Sequence, residues 1–258
     1  MANLERDIFG NPKYVQNFER NIEFGLIPDY GTFGNIGSAE NAGTTLRTLW
    51  NDDSIYVFPT SGTQMTISSE SANDVAAGTG ARTVLISYLD EDYIEQTEII
   101  TMNGQTAVST VATDILRVNS LIVLTAGSAG NNQGQIYLGT GTVTAGVPAT
   151  KYSIMPVNIN VSRTGVYTVP AGKRYSLASN IFSSVGNKET FVQFNVSLGG
   201  TGAFISTSEF TVSDTSEIFH NFVGFGHLTP KSDVRIDVRA TSGTITSRIN
   251  SYWVTLTL

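Results

Sequence analysis

From about Thr45 to the last residue, apolar and polar side chains alternate with a period of two, and β-branched residues take many of the apolar positions. A strand sends successive side chains to opposite faces, so this pattern specifies strands with one face buried and the other solvated. Nowhere do helical segments alternate with these strands, which excludes a parallel βαβ enzyme fold. The expectation is an all-β chain of antiparallel sheets.

Individual strands follow from the apolar runs and their breaks. Residues 54–59 read as one, closed by Pro59. Residues 83–89 and 94–102 read as a hairpin around the acidic turn Asp90-Glu91-Asp92-Tyr93. Asn103-Gly104 follows, a pair that accepts positive φ in a tight turn. Strands at 116–124 and 134–139, with a polar loop over 127–134, complete a first set ending near residue 150. A second set begins at Met155, with strands at 157–161, 166–173, 175–183, 191–198, 204–212, 218–225, 234–240 and 247–258. Within 191–198, Val192, Phe194, Val196 and Leu198 share one face, and Phe191, Gln193, Asn195 and Ser197 the other. Short strands at this spacing, broken by Gly and Pro turns, indicate two antiparallel β-sandwiches of jelly-roll-like arrangement. The run from Tyr252 to Leu258 is apolar to its end. It therefore belongs inside a sheet or a subunit interface, and it favours oligomerisation.

Residues 1–45 differ. Tyr14, Phe18 and Ile22 recur every four positions, which predicts a short amphipathic helix over 12–24 with Pro12 in its first turn. Leu4, Ile8 and Phe9 add apolar side chains before it. The stretch after it, dense in Gly, Asn and Ser, reads as a linker. The division expected is an N-terminal arm over 1–45, a β-sandwich over 46–152 and a second over 153–258. The helix either packs on its own chain or docks on a neighbouring subunit.

Composition narrows the function classes. Charged residues make up 14% of the 258 residues, against about 25% in ordinary soluble domains. Thr, Ser, Asn and Gly replace them, giving a neutral polar surface suited to broad contacts. A net charge of −7 supplies no general attraction for nucleic acid or anionic lipid. The chain has no cysteine, which removes disulfides, thiolate nucleophiles and Cys-based zinc sites. No basic-then-apolar leader opens it, and no run approaches the roughly 20 apolar residues that span a bilayer.

Motifs for chemistry are scarce. His220 and His227 are the two histidines, without a second ligand at metal spacing. No GxSxG elbow is present, and the Gly-rich stretches at 77–80 and 199–202 lack the pattern of a phosphate loop. Asp90, Glu91, Asp92, Glu95 and Glu98 form the densest charge cluster. They read as a solvated hairpin tip, with weak Ca²⁺ binding or paired-carboxylate hydrolysis as the alternatives. No catalytic residue, cofactor or metal site is assigned.

Three strings carry a resemblance: Asn73 to Val84, the Tyr88-Leu89-Asp90 hairpin with Glu98 to Gly104, and Tyr167-Thr168-Val169-Pro170-Ala171-Gly172-Lys173. On these the chain resembles virion structural proteins of tailed bacteriophages, especially short-tailed phages of marine and cyanobacterial hosts. The resemblance touches both β modules. It implies a multimeric virion component, with trimer the first expectation, that contacts capsid, portal or tail proteins and carries no catalytic residues. Leu4, Ile8, Phe9, Tyr14, Phe18 and Ile22 are the candidate virion-anchoring residues. Capsid decoration, head fibre or tail appendage is the leading role, and recognition of a host surface glycan the second.

Overall fold

The computed structural model describes residues 21–22, 24–186, 188–213, 217–221 and 227–258, with the backbone alone over 217–221. Among these residues sixteen strands form four antiparallel sheets. The first sheet runs in the order β1 (Tyr30–Ala42), β16 (Ile245–Thr257), β11 (Lys173–Val185), β14 (Glu217–Asn221). The second runs β10 (Val166–Thr168), β15 (Asp233–Ala240), β12 (Thr190–Ser197), β13 (Ile205–Val212), and β2 (Arg47–Thr48) also pairs with β15. The third is β6 (Val108–Ser109), β3 (Thr66–Ser69), β8 (Ile136–Thr144), β9 (Val147–Met155). The fourth is β5 (Glu95–Thr101), β4 (Ala81–Leu89), β7 (Arg117–Ala126).

Two cores join these sheets in pairs. Ala39, Leu177, Phe182, Ile249 and Trp253 of the first sheet meet Val192, Phe194, Val234, Ile236 and Val238 of the second in one buried cluster. Ile67, Ile136, Leu138 and Met155 of the third, with Met65 just before β3, meet Val84, Ile86, Ile100 and Leu121 of the fourth. The alternation reasoned above is visible in β4, where Val84, Ile86 and Tyr88 enter the core while Leu85 and Ser87 face outward. We call the unit built from 30–48 and 166–257 the outer module, and the unit built from 66–155 the inserted module.

The chain's first described strand pairs with its last. β1 runs against β16 from Tyr30 opposite Leu256 to Ala42 opposite Ile245. The segment expected as a linker is therefore sheet over 30–42. Its glycines misled the sequence reading because they mark a close backbone approach and not a loop. A Cβ on Gly37 would lie 2.9 Å from the Gly165 Cα, so only glycine lets the two segments pack. β16 occupies the middle of its sheet, between β1 and β11. Its Ile245, Ile249 and Trp253 are buried within the chain, while Leu258 just beyond it is exposed.

Two expected strands are loops, each for a local reason. Over 54–59 the chain runs beside β2 without joining a ladder; the Tyr56 N–H donates to Thr48 Oγ1, and Ser54 O accepts from the Thr48 N–H. Over 157–161 Asn158 and Asn160 both take φ of 63°. The buried Asn132 Oδ1 accepts the N–H groups of Ile159 and Asn160, while its Nδ2 donates to Gly134 O and Pro156 O. A side chain that captures consecutive backbone donors competes directly with strand pairing. Most of the helix expected over 12–24, with Leu4, Ile8, Phe9, Tyr14 and Phe18 before or within it, lies outside the described residues; Asn21 and Ile22 are described as helical, and Ile22 is buried.

Candidate functional site

The chemically richest region is the junction of the two modules. The second sheet turns Val234, Ile236, Val238 and Ala240 inward, so the intervening Asp233, Arg235, Asp237 and Arg239 lie on its other face. Asp233 and Asp237 are buried there. Trp50, Tyr56, Tyr137, Ile154 and Val166 form a separate buried cluster that seals the modules together.

Arg117, at the start of β7, crosses that junction. Its Nε and Nη2 donate to the two Asp233 carboxylate oxygens at 2.8 and 2.9 Å, and Nη1 donates to Pro59 O at 2.6 Å and Leu116 O at 3.0 Å. The Phe58 and Tyr93 rings flank its guanidinium at 5.1 and 5.5 Å. Asp233 also accepts the Thr168 hydroxyl at 2.5 Å. Burial opposes the charge on Arg117, but the hydrogen bonds and charge of Asp233, with Tyr93 and Tyr56, more than offset it and hold its pKa above the ordinary value. Asp237 shows the opposite balance. Burial pushes its carboxyl up, and Arg235, Thr48 and Asn195 only partly restrain the rise.

Residues of both modules also line an open polar cleft. Two cavities of about 290 Å³ each share Glu40, Asn51 and Gln135 as walls. Arg47, Asp52 and Asp53 line one end, and Arg163, Arg248 and Val157 the other. Arg47 pairs with Asp53 and donates to Trp50 O at 2.8 Å, and Lys151 pairs with Asp52 at 3.0 Å. Four buried polar atoms on the walls have no hydrogen-bond partner: Arg47 Nε, Asn51 Oδ1, Gln135 Oε1 and Arg163 Nε. Burial lowers the Arg163 pKa, the nearby Arg248 lowers it further, and Glu40 opposes them.

The acidic cluster singled out in the sequence is dispersed. Asp90 Oδ1 accepts the N–H groups of Asp92 and Ile94, and Oδ2 accepts Gln96 Nε2. Slight burial raises its pKa, but these hydrogen bonds outweigh it and hold the carboxyl below the usual range. Glu91 caps the Gly62 N–H, Glu95 pairs with Lys173, and Glu98 accepts the N–H groups of Val111 and Ala112. The carboxylates of Asp90, Glu91, Glu95 and Glu98 thus go to different neighbours, and among the described residues no group of three His, Cys, Asp or Glu could hold a metal ion. His227 is exposed, and the side chain of His220 lies outside the described part. Among the described residues no helix is long and apolar enough to cross a membrane. The junction itself escaped the sequence reading. Its residues are scattered from Glu40 to Arg248, and only pairing of the chain's two ends gathers them.

No family model matches the chain, and no curated protein does. Similar solved structures include that of the infectious bursal disease virus Gx strain, at 10% identity over 94% of this chain and 77% of that one, with a TM-score of 0.24. The naturally empty top component of cowpea mosaic virus is similar at 9% identity over 76% of this chain and 82% of that one, with a TM-score of 0.22. The VP2 subviral particle of infectious bursal disease virus is similar at 11% identity over 92% of this chain and 77% of that one, with a TM-score of 0.23. Superpositions this far below a TM-score of 0.5 do not establish a common fold.

Proposed function

We propose that this chain is a non-enzymatic structural protein of a virus particle, a capsid decoration or appendage whose outer module builds the contact and whose inserted module is carried on it. One observation carries the reading. Taking β1, β2, β11, β12, β13, β14, β15 and β16 as first to eighth, the first pairs with the eighth, the second with the seventh, the third with the sixth and the fourth with the fifth. That is a single long antiparallel ribbon. Folded over, it gives sheets in the orders 1-8-3-6 and 2-7-4-5, which are the orders of the first two sheets once the short β10, which also pairs with β15, is set aside. We infer from this that the outer module is a jelly roll, an architecture used by viral capsid proteins, lectins and cupins.

Fold alone does not decide among those uses. Among the described residues the interior is filled by Val, Ile, Leu, Phe, Tyr and Trp, which pack as a continuous core. A whole second β module is spliced between the second and third strands, and a buried ion pair and an apolar cluster fix it in place. Rigid carriage of one module by another, under a low-charge surface, suits a part repeated on a particle. In this reading residues 1–20 form the anchor, through Leu4, Ile8, Phe9, Tyr14 and Phe18, and the protein works as a homo-oligomer, a trimer, against other virion proteins.

The test is incorporation. Because β1 begins at Tyr30, removal of residues 1–20 spares every described strand. Particles grown with the shortened chain should lack it by mass spectrometry, while the same protein expressed alone stays folded. Its presence on particles at normal copy number would refute the anchor, and absence of the full-length chain from purified particles would refute the virion role.

A further inference from the structure

We propose that the outward face of the first sheet is a docking surface for the chain's own N-terminal segment, with Tyr14, Phe18 and Ile22 lying across Tyr252, Val254 and Leu256 of β16. A sheet with water on one side alternates apolar and polar residues along each strand. β16 does so in its first half, where Ile245 and Ile249 are buried while Arg248 and Asn250 are exposed. In its second half Trp253 enters the core, yet the opposite face carries Tyr252, Val254 and Leu256, all half-buried. A strand that is apolar on both faces is covered on both. Among the described residues none of the buried clusters includes these three. Tyr252, and Tyr30 opposite Leu256, are each engaged by a further partner.

The chain leading into β1 identifies the cover. The Leu26 N–H donates to Asn21 O at 2.8 Å and the Gly25 N–H to Ile22 O at 2.9 Å, with Gly25 at φ 65°. This pair of bonds around a left-handed glycine is the Schellman motif that ends an α-helix. Ile22, in the last turn, is 2% exposed, whereas Phe24 is 70% exposed, so one side of the helix end faces the protein. Ile22 belongs to none of the three buried clusters, which puts its contact outside both cores. Tyr14 and Phe18 precede it at a spacing of four, which shares that side. The tether from Gly25 to Tyr30 reaches at most about 18 Å, and Tyr30 sits beside Leu256. A helix over 12–24 is about 20 Å long, enough to cross strands spaced about 4.8 Å apart. So short a tether brings the helix to its own sheet and selects this chain over a neighbour.

The contact makes the arm a strap. Tyr14 and Phe18 are among the residues assigned above to anchoring, so in the free chain they are stowed, and docking on a particle must displace them. The cover itself does not depend on the virion role. Its test uses the isolated protein, so failure of the incorporation experiment leaves it intact, and its own failure leaves the structural role intact.

The chain has no cysteine, so an introduced thiol reports one place. In the full chain Val254→Cys should react slowly with a maleimide. Adding Tyr14→Asp and Phe18→Asp should speed that reaction about tenfold or more, because access no longer waits for the helix to open. Leu85→Cys, on the outward face of the inserted module, should react at one rate in both backgrounds. As a second measurement, Phe18→Cys with Val254→Cys should be joined within one chain by a short bis-maleimide in dilute protein. Equal reactivity of Val254→Cys in both backgrounds overturns the proposal, and so does absence of the cross-link within the chain. Protection that disappears on dilution, or a cross-link formed between chains, overturns it too and assigns the cover to a second copy.

Discussion

The two modules solve the same problem, a two-layer β core, by opposite routes along the chain. The inserted module pairs neighbours: β4 with β5, and β8 with β9 across the Ala145-Gly146 turn. In the outer module Tyr30 sits opposite Leu256, and Thr48 opposite Asp237. Closing such long loops costs entropy before any contact repays it. The interiors differ as well. The inserted core is Met, Ile, Val, Leu and Ala, with Tyr88. Both modules bury polar side chains, but Ser68, Ser69, Asp74 and Asn132 of the inserted module are hydrogen-bonded, whereas in the outer module both amide atoms of Asn180 and the hydroxyls of Ser247 and Ser251 lack a partner. The outer module is thus the more costly one to order, and the junction with its neighbour becomes part of what stabilises it.

The sharpest way to break that dependence is at Arg117. Replacing one member of a buried, hydrogen-bonded ion pair leaves the other charge uncompensated and costs about 3–5 kcal/mol. Arg117→Ala should therefore lower the urea midpoint strongly and split a single unfolding transition into two, the outer module melting first. Arg117→Met combined with Asp233→Leu should recover most of the loss, since a packed apolar pair can match a buried ionic one. A single transition of nearly unchanged midpoint in Arg117→Ala would mean that the modules are coupled through Trp50, Tyr56 and Tyr137 instead.

Next in size is Gly37. An added methyl meets the Gly165 backbone and the Leu49 side chain. Overpacking of this kind costs about 1–3 kcal/mol, and Gly37→Ala should weaken the outer module while hydrogen-exchange protection over 66–155 stays unchanged. Loss of protection in both modules would show that the inserted one does not hold its own fold.

A smaller effect concerns the buried carboxylate of Asp237 on β15. Asp237 has a pKa raised above the ordinary 3.8, so the folded state holds its proton more tightly than the unfolded state. Its contribution to stability is present below that ordinary value and is lost as pH rises through the raised native value. Asp237→Asn should flatten stability over this window in urea titrations, costing more at the acid end than at neutral pH. An unchanged pH profile would show that Asp237 does not titrate differently on folding.

The same contrast explains what could be read without the structure. Alternation at 83–89, 94–102, 191–198 and 234–240 placed strands correctly, because a period-two pattern is imposed by a buried face wherever that face comes from. The 30–42 strand was invisible, since Gly31, Gly34 and Gly37 carry no side-chain pattern and their purpose is set by partners far away in sequence. The cleft was hidden for the same reason. The acidic run at 90–98 was conspicuous locally, yet Asp90, Glu91, Glu95 and Glu98 serve different backbone or side-chain neighbours. Local signals reported strands and turns; nothing local encodes which residues a long-range pairing will bring together.

The last prediction concerns the outward face of the inserted module. β5, β4 and β7 place Ile99, Leu85 and Ile122 directly opposite one another, and Leu124 follows two residues on along the same face. Ile99, Ile122 and Leu124 are exposed. Thr97, Ser87 and Ser120 form the adjoining row, so these two rows are uncharged across the three strands. Nothing in the module's own core depends on these side chains, whose inward neighbours Val84, Ile86, Ile100 and Leu121 do the packing. Ile99→Ser with Ile122→Ser should therefore change stability by no more than about 0.5 kcal/mol per site, as surface substitutions usually do. Self-association is the quantity expected to respond: sedimentation velocity at matched concentrations should shift toward monomer. A shift in stability without one in association would mean that the stripe is a structural part of the sheet. An oligomer untouched by the double substitution would move the search for its interface to the outer module, where the chain's two ends meet.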